Sequence, residues 1–429
     1  MQRHENYKPS GVKWIGDVPA HWDVRPGFTC FDENKDRNKK LTDKTVLSLS
    51  YGRIVVKSED KMTGLVPESF DTYQLIKPGD IVIRTTDLQN DKTSLRVGLA
   101  RDKGIITSAY LGLRCKPEIN PEFVFRLLES YDALKVFYGM GSGLRQNIDF
   151  WDFKRLPIPT PPRIEQDRIV AFLDQKTVEI VAAIAKKERL IELLQEQKGV
   201  AYDKIIYGFG GKTALIETGN DFIPLVGRGV EVIQLVRLCK KIADGPHFSP
   251  PYVEPEDGYI FLSAGNIRPN KFLLDDVKYV SERHFKEFSK RVRPERGDVL
   301  YTKGGTTGVA KAVDLDIPFQ VWVHIAVLKL RHNMVDPQYL AYALNSSNCY
   351  AQSQLLTRGA TNKDLGLTRM KNIYLPIRPL PEQSAIVRNL DQIDSDYQKT
   401  EATILQEIAL LKELRASLVT AAVMGNIQV

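Results

Sequence analysis

Residues 84–96, RTTDLQNDKTSLR, crowd arginine, lysine, threonine, aspartate, glutamine and asparagine together just after an apolar run. Such side chains carry the forked and paired donors and acceptors that address base edges and phosphates. The candidates are Arg84, Thr85, Thr86, Gln89, Asn90, Lys92 and Arg96. Three more segments share the character. GSGLRQN (141–147) offers Arg145, Gln146 and Asn147, YTKGGTTG (301–308) offers Lys303, Thr306 and Thr307, and RGATNKD (358–364) offers Arg358, Thr361, Asn362 and Lys363. Any one alone reads as a solvated loop. Four in paired positions, on basic segments, point to nucleic acid. Signatures of catalysis do not accompany them. GGKT at 210–213 imitates a phosphate-binding loop, but Ile206 stands where its first glycine belongs, and a helix rather than a strand precedes it. GGTTG at 304–308 fits a phosphate cradle or a hairpin turn. No GxGxxG opens a βαβ unit, no Asn/Asp-Pro-Pro-Tyr tetrad of a DNA adenine methyltransferase is present, and His4, His21, His247, His284, His324 and His332 are scattered without HExxH. No catalytic residue or metal ligand is assigned.

The elements that must hold these segments occur twice. Gly79-Asp80 precedes Ile81-Val82-Ile83, and Gly297-Asp298 precedes Val299-Leu300-Tyr301, each predicting a strand entered from a tight turn. Asn120-Pro121 begins a helix through residue 138, and Asp336-Pro337 begins another through residue 356. Asn or Asp at the N-cap with Pro at the first helical position is a sound start signal. The stretch RLPIPTPPRIEQDRIVAFLDQ (155–175) returns as NIYLPIRPLPEQSAIVRNLDQ (372–392), identical at 9 of 21 positions with an offset of 217 residues. From each junction, which carries Ile169 or Ile386, a helical stripe runs on at alternating steps of four and three. The first passes through Leu173, Thr177, Ile180, Ile184, Lys187, Ile191, Leu194, Lys198, Ala201 and Ile205. The second passes through Leu390, Ile393, Tyr397, Thr400, Ile404, Glu407, Leu411, Leu414, Leu418 and Ala421. No proline interrupts either, so each predicts a coiled-coil helix of roughly 40 residues and about 60 Å. Two such helices most simply pair with each other, in either direction; the alternative is that each packs on its own domain.

The 429 residues exceed one ordinary core and suggest at least two domains. With 43% hydrophobic and 26% charged residues the composition is that of a globular protein. No apolar run reaches the roughly 18 residues of a membrane span, and MQRHENYKPSG lacks the apolar core of a secretory signal. Cys30, Cys115, Cys239 and Cys349 show no CxxC spacing and read as reduced, mostly buried thiols, so a cytoplasmic location is expected. Net charge is +7, yet residues 163–206 are neutral and residues 382–429 carry −3, which leaves +10 on the remainder. The positive field precedes each junction and fits either a polyanionic partner there or ordinary solubility charge.

These segments resemble the DNA-specificity subunits of type I restriction–modification enzymes. YKPSGVKWIGDVPAHWDV (7–24) is similar to their N-terminal opening. GDIVIRTTDLQNDKTSLRVGLARDKGIITSAYLGLR (79–114) is similar to one type of target-recognition domain, and IADGPHFSPPY (242–252) with GDVLYTKGGTTG (297–308) to another. The repeated PxxPxxEQxxIVxxLDQ is similar to the entry to their conserved helices. The resemblance implies an α+β chain with a pseudo-twofold internal repeat: two mixed α/β target-recognition domains, joined by two long helices in an antiparallel coiled coil. On this reading residues 1–158 are the first recognition domain, 159–208 the first helical region, 209–376 linker and second recognition domain, and 377–429 the second helical region. Each recognition domain reads half of a split, asymmetric double-stranded DNA site. The coiled coil, with Ile169, Leu173, Ile180, Ile184, Ile191, Leu194, Ile386, Leu390, Ile404, Leu411, Leu414 and Leu418, pairs the helices and docks two methyltransferase (modification) subunits. Motor-nuclease (restriction) subunits complete this bacterial host-defence assembly. The partners use S-adenosylmethionine, ATP and Mg2+; this non-catalytic chain binds no cofactor. Globules roughly 40–50 Å apart on shortened helix overlap correspond to half-site centres on the order of 12–15 base pairs apart.

Overall fold

A computed structural model describes residues 2–57, 69–91, 93–140, 147–209, 214–359 and 363–429. The chain divides into two compact units, the first comprising Met1–Lys187 with Leu405–Val429 and the second Glu188–Ile404.

In the first unit an antiparallel four-stranded sheet has the spatial order Phe31–Glu33, Tyr110–Cys115, Ile81–Arg84, Val97–Leu99. In the second unit the order is Cys239–Asp244, Ile325–Leu330, Val299–Thr302, Ala310–Ala312. Chain order maps onto spatial order identically: first, fourth, second, third. Ile81, Val82, Ile83 and all of Val299–Thr302 are buried, which explains continuous apolar runs where alternation would mark a half-solvated sheet. Each run is entered through a glycine at φ +91°, Gly79 or Gly297, a left-handed conformation that suits a residue without Cβ. The following aspartates close both turns: Asp80 Oδ2 accepts from Lys77 N at 2.9 Å and Asp298 Oδ2 from Glu295 N at 2.7 Å.

A capped helix covers each sheet. Asn120 Oδ1 accepts from the backbone N–H groups of Glu122 and Phe123 at 2.8 and 3.3 Å, starting Pro121–Ala133. Asp336 Oδ1 accepts from Gln338 and Tyr339 at 2.9 Å each, starting Pro337–Leu344. Both helices stop short of the sequence expectation. The first gives way at Lys135, with φ 62°, to a 3-10 turn at Val136–Gly139. The second breaks at Asn345-Ser346 before resuming as Ser347–Leu356, because the Asn345 amide is engaged by the backbone of Ala310, at 2.9 and 2.8 Å.

The repeated junction has a common physical role. Gln166 Oε1 accepts from Asn120 N at 2.8 Å while its Nε2 donates to Pro161 O at 2.9 Å. Gln383 Oε1 accepts from Asp336 N at 2.7 Å while its Nε2 donates to Arg378 O at 2.8 Å. Both amides are buried and bolt the N-cap of the covering helix to the entry of the long one. A strand pair closes each globule beside this bolt, Asp23–Pro26 with Pro157–Thr160 and Glu231–Gln234 with Tyr374–Ile377.

The long helices span Arg163–Ile206 and Leu380–Val423. In the first unit Ile169, Leu173, Ile180 and Leu418 join the main apolar core, with Ile184 and Leu411 against it. There Lys187 pairs with Glu407 at 2.7 Å. In the second unit Leu390 belongs to the core with Ile206 and Tyr207, Ile386 packs against it, and Ile404 is buried. There Gln195 bonds Glu401 at 3.3 Å and Tyr202 bonds Asp394 at 2.9 Å, so partner numbers descend as the first helix ascends. Ile191 and Leu194 line a cavity of about 350 Å³ with Tyr202, Tyr342 and Tyr397. The stripe expected on the second helix is half out of phase. Ile408 is 5% exposed, whereas Leu414 is 49% exposed and Thr400 and Glu407 also face solvent. Burial follows Tyr397, Glu401, Ile404, Ile408 and Leu411, so Leu414 is corrected from a seam residue to a surface one. Several 3–4 stripes fit this Leu/Ile-rich helix, and only the opposing surface selects one.

The units differ beyond the shared sheet. The second carries a three-stranded sheet of Lys278–Ser281, Gly258–Leu262 and Phe319–Val321, where the first has separate two-stranded ribbons, Leu47–Ser50 with Arg53–Val56 and Gln74–Ile76 with Gly104–Ile106. The four cysteines are free thiols, three of them buried, and burial pushes those of Cys115 and Cys239 up to about 12. Among the described residues, no helix is long and apolar enough to cross a membrane.

Candidate nucleic-acid interface

The sheet places its two candidate segments together in each unit. In the first, Ile148 N donates to Thr85 O at 3.1 Å, and Asn147 Oδ1 accepts from Asp87 N at 3.1 Å. In the second, Leu365 N donates to Lys303 O at 2.7 Å, and Asp364 bridges both Gly304 and Arg358. The repeat thus extends past the strands to the base of the loops. Lys92, Arg145, Gln146, Thr361 and Asn362 lie outside the described residues.

In the first unit the loop is built around Arg96. This side chain is 0% exposed. Its guanidinium donates to the carbonyls of Arg84 and Thr86 at 3.3 and 2.8 Å and of Asp87 at 3.2 Å, and to that of Asp91. Its Nε donates to the Tyr138 hydroxyl at 3.1 Å, and its backbone N–H to Asp132 at 2.8 Å. Arg96 therefore moves from the expected DNA contacts to the inside of the loop: its rigid fork of donors satisfies four backbone carbonyls and one hydroxyl within the turn. Asp91 is the second organiser. The Ser94 hydroxyl and backbone N–H, then Thr93 N–H and Arg84, hold its carboxyl well below the usual carboxylate range. Asp132 goes the other way, its carboxyl pushed up by burial against the pull of the Arg96 N–H. Arg84 is half-buried and held by Asp91 at 3.0 Å, Thr85 is buried, and Thr86 is half-buried. Gln89, Asn90 and Asn147 present exposed amides.

In the second unit the ammonium of Lys303 occupies an analogous inner place. Its side chain is 7% exposed, 2.9 Å from Asp364 and 3.5 Å from Asp244. This corrects the expected phosphate contact to a buried ion pair. Thr307 is also buried, its hydroxyl accepting from Gln354 Nε2 at 3.2 Å. Gly304 backs onto His324 so closely that a Cβ there would lie 2.0 Å from Nδ1. The GGTTG segment is thus a packed turn, leaving Thr306 exposed with Arg358 and Lys363.

Sequence reasoning missed the hub of this face. Buried Asp244 is paired with Arg291, is 3.3 Å from His247, and touches Lys303. Burial pushes its carboxyl up, but Arg291, Lys303 and His247 outweigh that and hold it below the usual range. Arg291 and His247 are half or more exposed, and Phe248 beside them is exposed. IADGPHFSPPY carried a signal for Asp244 and His247; nothing near Arg291 in sequence marks its partner 47 residues away.

Known proteins bear on this arrangement. Residues 229–410 match the family model "Type I restriction modification DNA specificity domain". The StySPI specificity subunit of Salmonella potsdam is 28% identical over 40% of this chain, although the match spans only 37% of that relative's length. The MjaVIII specificity subunit of Methanocaldococcus jannaschii is 24% identical over 68% of each chain, and the putative MjaX specificity subunit of that organism 24% over 91% of this chain and 90% of its own. In fold, the chain is similar to one from a structural study of complex assembly and conformational transition in a type I restriction–modification system, with TM-score 0.65 and 18% identity over 95% of this chain and 98% of that one. The HsdS subunit from Thermoanaerobacter tengcongensis is similar with TM-score 0.51, 18% identity and the same coverage. The chain is thus similar to type I restriction–modification specificity proteins over residues 229–410 by family model and over longer stretches by individual relatives, and it shares the fold of the two solved chains.

Proposed function

We propose that this chain is the sequence-specific DNA-recognition subunit of a type I restriction–modification complex, reading a bipartite, asymmetric double-stranded site in the cytoplasm. The observation that carries the reading is the repeat with unlike loops: one strand order and one junction bolt twice, with Gln89, Asn90 and Asn147 exposed on one unit and Thr306, Arg358 and Lys363 on the other among the described residues. A platform duplicated with different side chains is what two unlike half-sites require. Gln89, Asn90 and Asn147 are the base-reading candidates of the first unit, and Thr306, Arg358, Lys363, Arg291 and His247 the contacts of the second. The domain limits 1–158, 159–208, 209–376 and 377–429 belong to this proposal, as does an antiparallel, pseudo-twofold coiled coil that spaces the readers. Descending partner numbers along the helices support it. Two adenine-N6 methyltransferase subunits dock on the helices, with motor-nuclease subunits beyond them. Exposed Val181, Leu190, Leu193, Leu405, Leu410 and Leu414 support that docking, since solvated helices rarely gather so many apolar side chains without a partner.

The test is the methylome of cells making this chain with its cognate modification subunit, against cells lacking the chain. A new bipartite motif with N6-methyladenine in both halves is expected. No new motif, with the modification subunit active beside another specificity chain, would overturn DNA reading and leave a protein scaffold.

A further inference from the structure

The N-terminal arm of the first unit folds back on the start of the first long helix. Tyr7–Pro9 pairs with Asp17–Pro19, the Tyr7 hydroxyl donates to Gly425 O at 3.1 Å, and Gln428 N donates to Gln2 O at 3.0 Å. This brings His4 and His21 together, ring centroids 5.6 Å apart, beside Glu165 of the junction. One ligand atom from each of the three lies within 4.8 Å of the other two. Glu165 is 8% exposed, and its two oxygens do different things. Oε1 accepts from the indole N–H of fully buried Trp22 at 3.0 Å; Oε2 meets His21 Nε2 at 2.8 Å.

We propose that His4, His21 and Glu165 bind a divalent transition-metal ion of the zinc type, with water completing its coordination. Two imidazole nitrogens and a carboxylate oxygen are a ligand set that zinc favours. Ligand atoms of a tetrahedral zinc site stand roughly 3.4 Å apart. Bringing the three atoms to that spacing from 2.8–4.8 Å takes small side-chain movements. Trp22 supplies the outer-shell hydrogen bond that fixes a coordinating carboxylate and leaves its second oxygen to the metal. Exposed His21 and half-buried His4 leave the site open to solvent on one side. The second copy of the junction is an internal control. Glu382 stands where Glu165 stands in the first, but it is exposed and faces Arg378 at 3.6 Å. A bound ion would fasten the arm to the junction.

The experiment uses the full chain, with its partner subunits where they keep it in solution and without a polyhistidine sequence. Zinc chloride is titrated by calorimetry, bound metal is counted after gel filtration, and Co2+ is followed by its visible absorption. We expect one saturable zinc per chain, a rise in thermal midpoint on loading, and tetrahedral Co2+ bands. His4→Ala and His21→Ala should each weaken binding by at least about tenfold, while Glu382→Gln binds as the wild type does. His4 is half-buried on the arm, its ring edge-on to that of Trp22, and His21 is exposed, so the His21→Ala variant tests binding with little disturbance of the core. No saturable binding by the wild-type chain, or equal binding by the His4→Ala/His21→Ala double variant, overturns the site. Neither result bears on DNA reading.

Discussion

Arg96 and Lys303 occupy comparable places in the two units, each behind the loop that follows the buried third strand of its sheet, yet they solve different problems. Arg96 spreads a planar guanidinium over four backbone carbonyls and orders a loop with little regular structure. Lys303 brings a point charge to two carboxylates and closes a short glycine turn against a neighbouring loop. The lesson is that each of these candidate loops is built over a buried cation. The cation that looks most like a contact in the sequence can be the one that never meets solvent.

The comparison is sharpest in stability. Arg96→Met strands several buried carbonyls and is expected to cost about 3 kcal/mol, confined to the first unit. Lys303→Met leaves Asp244 with Arg291 still beside it and is expected to cost nearer 2 kcal/mol, confined to the second. Hydrogen exchange resolved by unit, with denaturant melts, checks both. A loss under 1 kcal/mol for Arg96→Met would return it to the surface contacts, and a flattened salt dependence of DNA binding in Lys303→Met at unchanged stability would do the same for Lys303.

Next in size is the phase of the second long helix. Ile408→Ala should destabilise by about 2 kcal/mol as a buried truncation, while Leu414→Ala should stay within about 0.5 kcal/mol in the isolated chain. Reversal of the two in thermal melts would restore the stripe read from the sequence. In a complex with modification subunits, Leu414→Ala should instead weaken assembly, which separates a docking face from an idle one.

The smallest effect has a definite pH sign. The folded chain lowers the Asp91 carboxyl mainly through Ser94, so this contribution is present above the unfolded carboxylate range near pH 4 and fades as pH falls through the lower folded value. Ser94→Ala should therefore cost roughly 0.5–1 kcal/mol at neutral pH, and the gap to wild type should shrink on acidification below about pH 4. A gap independent of pH would show that Ser94 acts through packing rather than through the carboxylate.

Much of this was legible because it is local. The N-caps at Asn120 and Asp336, the glycine turns at Gly79 and Gly297, and the long helices that run without proline from Arg163 and from Glu382 each announce themselves within a few residues. The duplicated junction was visible by identity alone, and its glutamines now have a reason: each satisfies buried backbone groups on two elements at once. The candidate interface was legible only as a set of segments. Which members face solvent was not, because Asp244, Arg291 and Lys303 meet across 47 to 59 residues of chain. His4, His21 and Glu165, 144 residues apart at the closest bond to the helix, share no motif spacing at all.

By itself, then, the sequence determined the twofold plan, the strand and helix starts, and the chemistry available to the loops, since periodicity, capping and turn residues act over one or two turns of chain. Only the tertiary structure decided which cations are buried, which stripe of Leu380–Val423 is covered, and which histidines stand beside a carboxylate. Those outcomes depend on the surface that arrives opposite a side chain, and desolvation and pairing are properties of that encounter rather than of any residue alone.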